Sequence, residues 1–360
     1  MKVAFISFDW PEYCLRLTNA LAKDADVCLL APRPWQRHLQ HLDQKIAFRP
    51  FRKPRFRQPL RQLMMIRQIL GAVRAFGPDV VHLQHGHPWF NLALPLLRRY
   101  PLVLTIHDPR FHPGDQESLV MPQRLIDFGF HRANQVIVHT DQTAEIVINE
   151  LGIDAGIVHV VPHIQLGDEA AQADVAEEEN VILFFGRIWE YKGLAYLIKA
   201  QPRVSAQVPD AAFVIAGRGE EFAPYRAMMA DPARFQVYNE YISDDDRARL
   251  FRQASVVVLP YIEASQSGVI PVAYTFGKPV IATTVGGLPE QVEDGRTGLL
   301  VPPADETALA DAIIRLLQDT ALRRQMGANG KQKLDAEWSA DAVARKTLPV
   351  YKTAIANLAP

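Results

Sequence analysis

Cysteine is nearly absent: Cys14 and Cys28 are the only two in 360 residues. That excludes a disulfide framework, and no Cys-x-x-Cys pair offers a metal or redox site. A reducing, cytoplasmic setting fits. Long hydrophobic runs are also missing. No apolar stretch approaches the roughly 20 residues that cross a bilayer, and Val3 to Phe8 is too brief for a signal peptide and is broken by Asp9. No G-x-G-x-x-G follows that run, so a nicotinamide cofactor has no phosphate turn there. Acidic residues are missing between Asp43 and Asp79, where Lys45, Arg49, Arg52, Lys53, Arg55, Arg57, Arg61, Arg67 and Arg74 occur. The formal charge of −1 therefore conceals two halves. Residues 1–100 carry 16 Lys and Arg against 6 Asp and Glu, and the remainder 23 against 34. Such segregation points to an anionic partner on one lobe.

What is present is a soluble globular composition, 48% hydrophobic, at a length that supports two domains with their own cores. Short apolar runs alternate with helical periodicity, the pattern of βα units on parallel sheets. The class is α/β. Strands are expected at Val3 to Ser7, Val27 to Ala31, Val80 to Leu83, Leu102 to Ile106, Val136 to His139 and His159 to Val161. A second series runs through Val181 to Phe185, Phe213 to Ala216, Val256 to Leu259, Val280 to Ala282 and Gly298 to Val301. The clearest helix is Gln58 to Phe76, with Leu60, Leu63, Met64, Ile66, Leu70 and Val73 expected to face the sheet and its arginines to face outward. Asp141 is expected to cap another helix through Glu150. The acidic stretch GDEAAQADVAEEEN, residues 167–180, reads as a linker. The boundaries are thus 1–165 for a first domain, 166–180 for the linker and 181–341 for a second domain. Ligands of open α/β sheets sit at the carboxyl ends of the strands, so an inter-domain cleft is the expected site.

In VILFFGRIWEYKG, residues 181–193, a buried strand ends at Gly186 and the following loop carries Arg187 and Lys192. Two fixed cations suit a diphosphate, because Arg binds phosphate oxygens bidentately and Lys supplies a point charge. In LPYIEASQSGVIPVAY a strand turns through small residues into a short helix near Gly268, where backbone N–H groups of Ser267, Gly268 and Val269 can approach an anion. In LVLTIHDPRFHPGD, His107 and Asp108 stand at a strand's carboxyl end, where functional residues collect. His82, His85 and His87 in VVHLQHGHPWF invite a metal reading. A strand followed by a tight turn spreads them, and no carboxylate or cysteine completes a ligand set, so no metal is expected and some of them are expected to line an acceptor cleft.

The segments FFGRIWEYKG, VIAGRGEE, NEYISDDDRARLFRQASVVVLPY, FGKPVIATTVGGLPEQVEDGRTGLLVPP and VYKTAIANL together resemble the family 4 retaining glycosyltransferases, the group 1 glycosyltransferases of GT-B fold. The resemblance covers nearly the whole chain. It implies two Rossmann-like doubly wound domains facing across a cleft, the first on the acceptor side and the second binding a nucleotide sugar, with a C-terminal helix at about 342–360 returning to the first. It implies that Arg187 and Lys192 hold the donor diphosphate, that Gly186, Gly217, Ser267, Gly268 and Val269 line the donor site, and that Tyr241 and Ile242 lie near the nucleobase. It also implies that His107 contacts the donor sugar, that transfer needs no metal or cofactor, and that the donor is UDP- or GDP-linked.

Two departures stand out. The family commonly carries two glutamates seven residues apart in the second loop, whereas this chain has Ala264 and Val272 at those positions and Glu263 one residue early. Glu263 takes the first role only if the SQSG loop shifts by one residue. The loop SFDWPEY after the first strand lacks the paired glycines common in relatives. The expected function is transfer of a sugar to an acceptor hydroxyl with retention, in polysaccharide or glycolipid synthesis. A nucleotide-sugar epimerase and a non-catalytic partner subunit are the alternatives. The basic run 45–74 joins an amphipathic helix and has only Phe48, Phe51 and Phe56 interleaved. That favours an anionic membrane surface at the inner face of the membrane, with a lipid-linked or sugar acceptor, over nucleic acid.

Overall fold

The computed structural model describes residues 1–110, 123–168, 170–172 and 174–358. The end of the LVLTIHDPRFHPGD segment, residues 111–115, lies outside them, as do residues 169, 173, 359 and 360 of the expected linker and last helix. The chain divides into two compact units.

The first unit is built on a seven-stranded parallel sheet in the order β3-β2-β1-β4-β5-β6-β7. Its strands are β1 Lys2–Ile6, β2 Asp26–Pro32, β3 Ala47–Phe51, β4 Val80–Gln84, β5 Leu102–Thr105, β6 Gln135–Val138 and β7 Val158–Val160. The second unit carries a six-stranded parallel sheet in the order β10-β9-β8-β11-β12-β13. These strands are β8 Val181–Phe185, β9 Ala212–Ala216, β10 Phe235–Tyr238, β11 Val256–Leu259, β12 Val280–Thr283 and β13 Gly298–Val301. Near-continuous burial along the central strands reflects sheets covered on both faces. In each sheet the order reverses beside the first strand, between β1 and β4 and between β8 and β11. Those two switch points are where open α/β sheets leave a crevice.

The sequence reading missed β3 and β10, and both are edge strands. An edge strand with one partner is less buried and needs less apolar sequence. β3, AFRPF, even carries Pro50, which an edge tolerates.

Three further expectations need correction. The helix α2, Pro59–Phe76, buries Gln62, Met65, Ile66, Ile69, Leu70 and Val73, while Leu60, Leu63 and Met64 are 75%, 52% and 61% exposed. Two apolar phases overlap on its first two turns, and the sheet takes the one that runs unbroken to Val73. Gln62 enters that face because its amide donates to the Arg55 carbonyl at 3.2 Å. The helix Asp141–Asn149 is capped by Thr140, whose side chain accepts from the Thr143 N–H, one residue ahead of the expected Asp141. The acidic stretch is not a free tether, since the second unit begins at Gln165. Thr275 donates to the Leu166 carbonyl at 2.7 Å, Arg252 to the Ala171 carbonyl at 3.0 Å and Ser255 to the Glu178 carbonyl at 2.9 Å. Glu177 bonds Lys278 at 2.6 Å and Arg323 at 3.3 Å. Polar composition resembled a linker because its side chains are spent on buried cations rather than on an apolar face.

The helix Ala340–Leu358 belongs to the first unit, packing on α1, Pro11–Leu21, and on β4, β5 and β6. Among the described residues no helix is long and apolar enough to cross a membrane.

Candidate active site

At the β8/β11 switch point the backbone is drawn together by glycines. Gly217, at φ 147°, lies so near Gly186 that a Cβ would stand 1.8 Å from the Gly186 carbonyl oxygen. Gly193, at φ 66°, is equally close to the Pro260 carbonyl. No other residue fits either place. This approach brings the loops after β8, β9 and β11 into one cluster.

Arg187 is exposed, and its Nη2 donates to the Tyr191 hydroxyl at 3.1 Å. Lys192 Nζ lies 3.7 Å from the centroid of the Tyr261 ring and 4.8 Å from that of Tyr191, a cation–π arrangement that holds the ammonium at the loop ends. Burial pushes the Tyr261 phenol well above its ordinary value, so it stays neutral and does not cancel the cations. Its hydroxyl is 3.3 Å from Ser267 Oγ, and its carbonyl accepts from Thr283 at 2.6 Å.

The helix Val269–Thr275 starts at Gly268, as expected. Its supply of backbone donors is smaller than expected. The Ser267 N–H is held by Gln291 Oε1 at 2.8 Å, and the Val269 N–H points to Ser267 Oγ at 3.2 Å. Small residues in the turn fold its own side chains back on the backbone, which leaves Gly268 as the N–H with no partner among the described residues. Gln291 returns a second bond to the Ser267 carbonyl at 3.1 Å, clamping the loop. Gln291, Tyr191 and Tyr261 were not singled out from the sequence. Tyr191 directly precedes Lys192, which was the available signal, and nothing local marked Tyr261 or Gln291.

Glu263 is exposed on this loop while Ala264 beside it is buried. Val272 is 4% exposed and packs near Gly167, whose virtual Cβ would be 3.6 Å from Val272 Cγ1. The position at which the resemblance implied a second glutamate is therefore apolar core here. Tyr241 is 74% exposed and Ile242 half-buried, in the stretch that follows β10.

In the first unit the β1/β4 switch point is filled with aromatic and imidazole rings. Trp10 has left-handed backbone at φ 58°, and His85 at φ 59°. Such values in bulky residues mark strain that the surroundings hold. Trp10 stacks on His107 at 4.3 Å between centroids, and its edge meets His85 at 5.4 Å. The loop without paired glycines thus offers an indole in their place. His107 is buried, with Nε2 2.7 Å from Gln84 Oε1 and Nδ1 3.2 Å from His139 Nε2. His163 joins the cluster 5.2 Å from His139.

The three histidines of VVHLQHGHPWF separate. His82 is core, bonded to Tyr351 at 2.5 Å and Thr105 at 2.8 Å, so it lines no cleft. His87 is buried and stacks on Phe8, and His85 is partly buried beside Trp10. Among the described residues no group of His, Cys, Asp or Glu is arranged to hold a metal ion.

Comparison with known proteins adds the rest. Residues 12–164 match the model described as Glycosyltransferase Family 4, and residues 179–319 the model described as Glycosyl transferases group 1. A D-inositol 3-phosphate glycosyltransferase of Kribbella flavida is 29% identical over 84% of this chain and 78% of its own. A phosphatidyl-myo-inositol mannosyltransferase of Mycolicibacterium smegmatis is 27% identical over 76% and 71%. The solved structure of Anabaena Alr3699/HepE in complex with UDP-glucose superposes with a TM-score of 0.72 at 20% identity, covering 98% of this chain and all of that one. The architecture is GT-B.

Proposed function

Because the chain belongs to the group 1 glycosyltransferases of family 4, we propose that it moves a sugar from a nucleotide diphosphate sugar to an acceptor hydroxyl with retention of configuration. The observation that carries this reading is the convergence of Arg187 and Lys192 with the Gly268 N–H at the β8/β11 switch point, all positive and with no phenolate to offset them. As the sugar–phosphate bond breaks, negative charge grows on the departing diphosphate. Fixed donors aimed at that charge stabilise the transition state more than the ground state. In this reading the two cations supply the role a divalent ion has elsewhere. Retention follows from front-face attack, with the leaving phosphate taking the acceptor's proton. The UDP-glucose complex of the Anabaena protein makes a uridine donor the first to test.

Thermal shift against UDP, GDP, ADP and CDP identifies the nucleotide by selective stabilisation. With that nucleotide, Arg187→Ala is expected to lose about 1.5–3 kcal/mol of charge-assisted bonding, roughly ten- to hundredfold in affinity, with a fall in turnover. Unchanged affinity and turnover would remove Arg187 from the diphosphate site.

We further propose that the first unit meets an anionic membrane carrying a lipid-linked acceptor, at the inner face. All nine Lys and Arg from Lys45 to Arg74 are exposed, and beside them α2 turns Leu60, Leu63 and Met64 outward. Cations near such a surface contribute about 1 kcal/mol each, and apolar side chains can enter the headgroup boundary. Sedimentation with anionic liposomes should fall with salt. A variant carrying Leu60→Glu and Leu63→Glu should bind less at every salt concentration. Equal recovery with neutral and anionic vesicles would refute the surface.

A further inference from the structure

We propose that Gln84 and His139 are positioning residues that hold His107 as a neutral imidazole with its single proton on Nδ1, so that its ring serves as neither acid nor base during transfer. The argument starts from the one partner whose role is fixed. His139 Nδ1 is 2.8 Å from the Val161 carbonyl, which only accepts, so that nitrogen carries a proton. A neutral His139 then has a lone pair on Nε2, and the His107 Nδ1 facing it at 3.2 Å must donate. His107 Nε2, in turn, needs a donor.

The Gln84 amide lies against that nitrogen at 2.7 Å. Oxygen and NH2 of an amide are interchangeable in shape, so two assignments exist. With the oxygen toward His107, the two rings must share three protons and carry a positive charge. With the NH2 toward His107, both rings are neutral, and the amide oxygen faces the Thr105 hydroxyl and His82 Nε2, at 3.4 and 3.3 Å. The Tyr351 hydroxyl supplies the proton to His82 Nδ1 at 2.5 Å, so His82 Nε2 is protonated and donates to Thr105 Oγ1 at 2.8 Å, and the Thr105 hydroxyl donates on to the amide oxygen. The second assignment satisfies the ring nitrogens, the Thr105 hydroxyl and the Gln84 amide from Tyr351 to Val161 without charge, with the buried Tyr13 hydroxyl also bonded to Gln84.

The surroundings select it. Burial of His107 opposes any charge on its ring, and a proton there would compete with one on His139, His163, His85 or His82; Tyr13 meets its ring edge-on. The acidic groups near the cluster are Asp108, which acts on His85, His139 and His163, Asp9, which acts on His85, and Glu12, which acts on His163. Burial outweighs them, and His107 is held well below the ordinary histidine value. The ring is further fixed by Trp10 on its face. Six elements therefore converge on one orientation and one tautomer.

The protonation state stands on this geometry alone; its consequence for transfer rests on the reading of His107 as a reaction-centre residue. Nitrogen-15 NMR of the full chain labelled at histidine tests the first directly, with His107 assigned by its absence in His107→Asn. The expected spectrum has one protonated ring nitrogen, Nδ1, unchanged between about pH 6 and 8, the range in which free imidazoles titrate. Two protonated nitrogens at neutral pH, or a titration in that range, would overturn the proposal. Gln84→Glu offers only acceptors, so it should place a proton on Nε2 and make the His107–His139 pair titrate. A folded Gln84→Glu protein with an unchanged His107 spectrum would remove Gln84 from the role; if that variant does not fold, the wild-type spectrum decides. The pH profile of transfer should acquire a new limb in Gln84→Glu. If the spectrum changes and the profile does not, the positioning holds and the placement of His107 at the reaction centre fails.

Discussion

Lowering the pH is expected to unfold the first unit while the second remains intact. His82 and His139 are pushed down to about 3 by burial, and His87 and His163 to about 4. An unfolded histidine titrates near 6.5, so below that pH the unfolded chain binds protons that the folded unit refuses. Stability contributed by these groups is complete above about 6.5 and is lost as the pH falls toward their folded values. Each costs about 1.4 kcal/mol per pH unit, and four of them over two units approach the roughly 5–15 kcal/mol that holds a whole domain. Residues 165–337 contain no histidine at all. Hydrogen exchange read by mass spectrometry between about pH 7 and 4 should show the sheet β1–β7 losing protection first. Simultaneous loss in both units, or a first unit still protected at about pH 4, would count against this account.

The second large effect is expected at Glu177. Its two oxygens hold Lys278 at 2.6 Å and Arg323 at 3.3 Å, and both cations are almost wholly buried. Desolvation already lowers the Lys278 pKa. Arg323 is further held by the carbonyls of Leu316 and Leu317, which orient it but carry no charge. Glu177→Ala therefore leaves two buried cations facing each other, a change that costs about 3–5 kcal/mol. For a unit of this size that is roughly 6–20 °C in Tm. Calorimetry should place the loss in the second unit's transition. A shift of no more than about a degree would mean that water or a neighbouring carboxylate replaces Glu177.

Both effects belong to features that composition misrepresented. The histidine-bearing strand ends VVHLQHGH and TIHD suggested ligands or cleft linings, yet His82 is spent on Tyr351 and Thr105, which lie far away in sequence. The acidic run before β8 suggested a tether, yet its carboxylate neutralises two cations more than 100 residues later. A polar residue's sequence neighbours do not reveal the partner that will satisfy it.

The sequence by itself determined the parallel α/β class, eleven of the thirteen strands among the described residues, and the strand–Gly–Arg and loop–helix positions of the candidate site. Those depend on local signals: apolar runs of strand length, helical periodicity, and glycines where the backbone must turn. With only two cysteines in the chain, each unit is held by a buried hydrophobic core. Only the tertiary structure decided which face of α2 is covered, that Gly268 rather than all three loop amides remains open, that Val272 sits in core, and that His107 is locked between Gln84, His139 and Trp10. Each of these is a choice between partners of similar chemistry, settled within its own unit by which groups the fold brings within bonding distance.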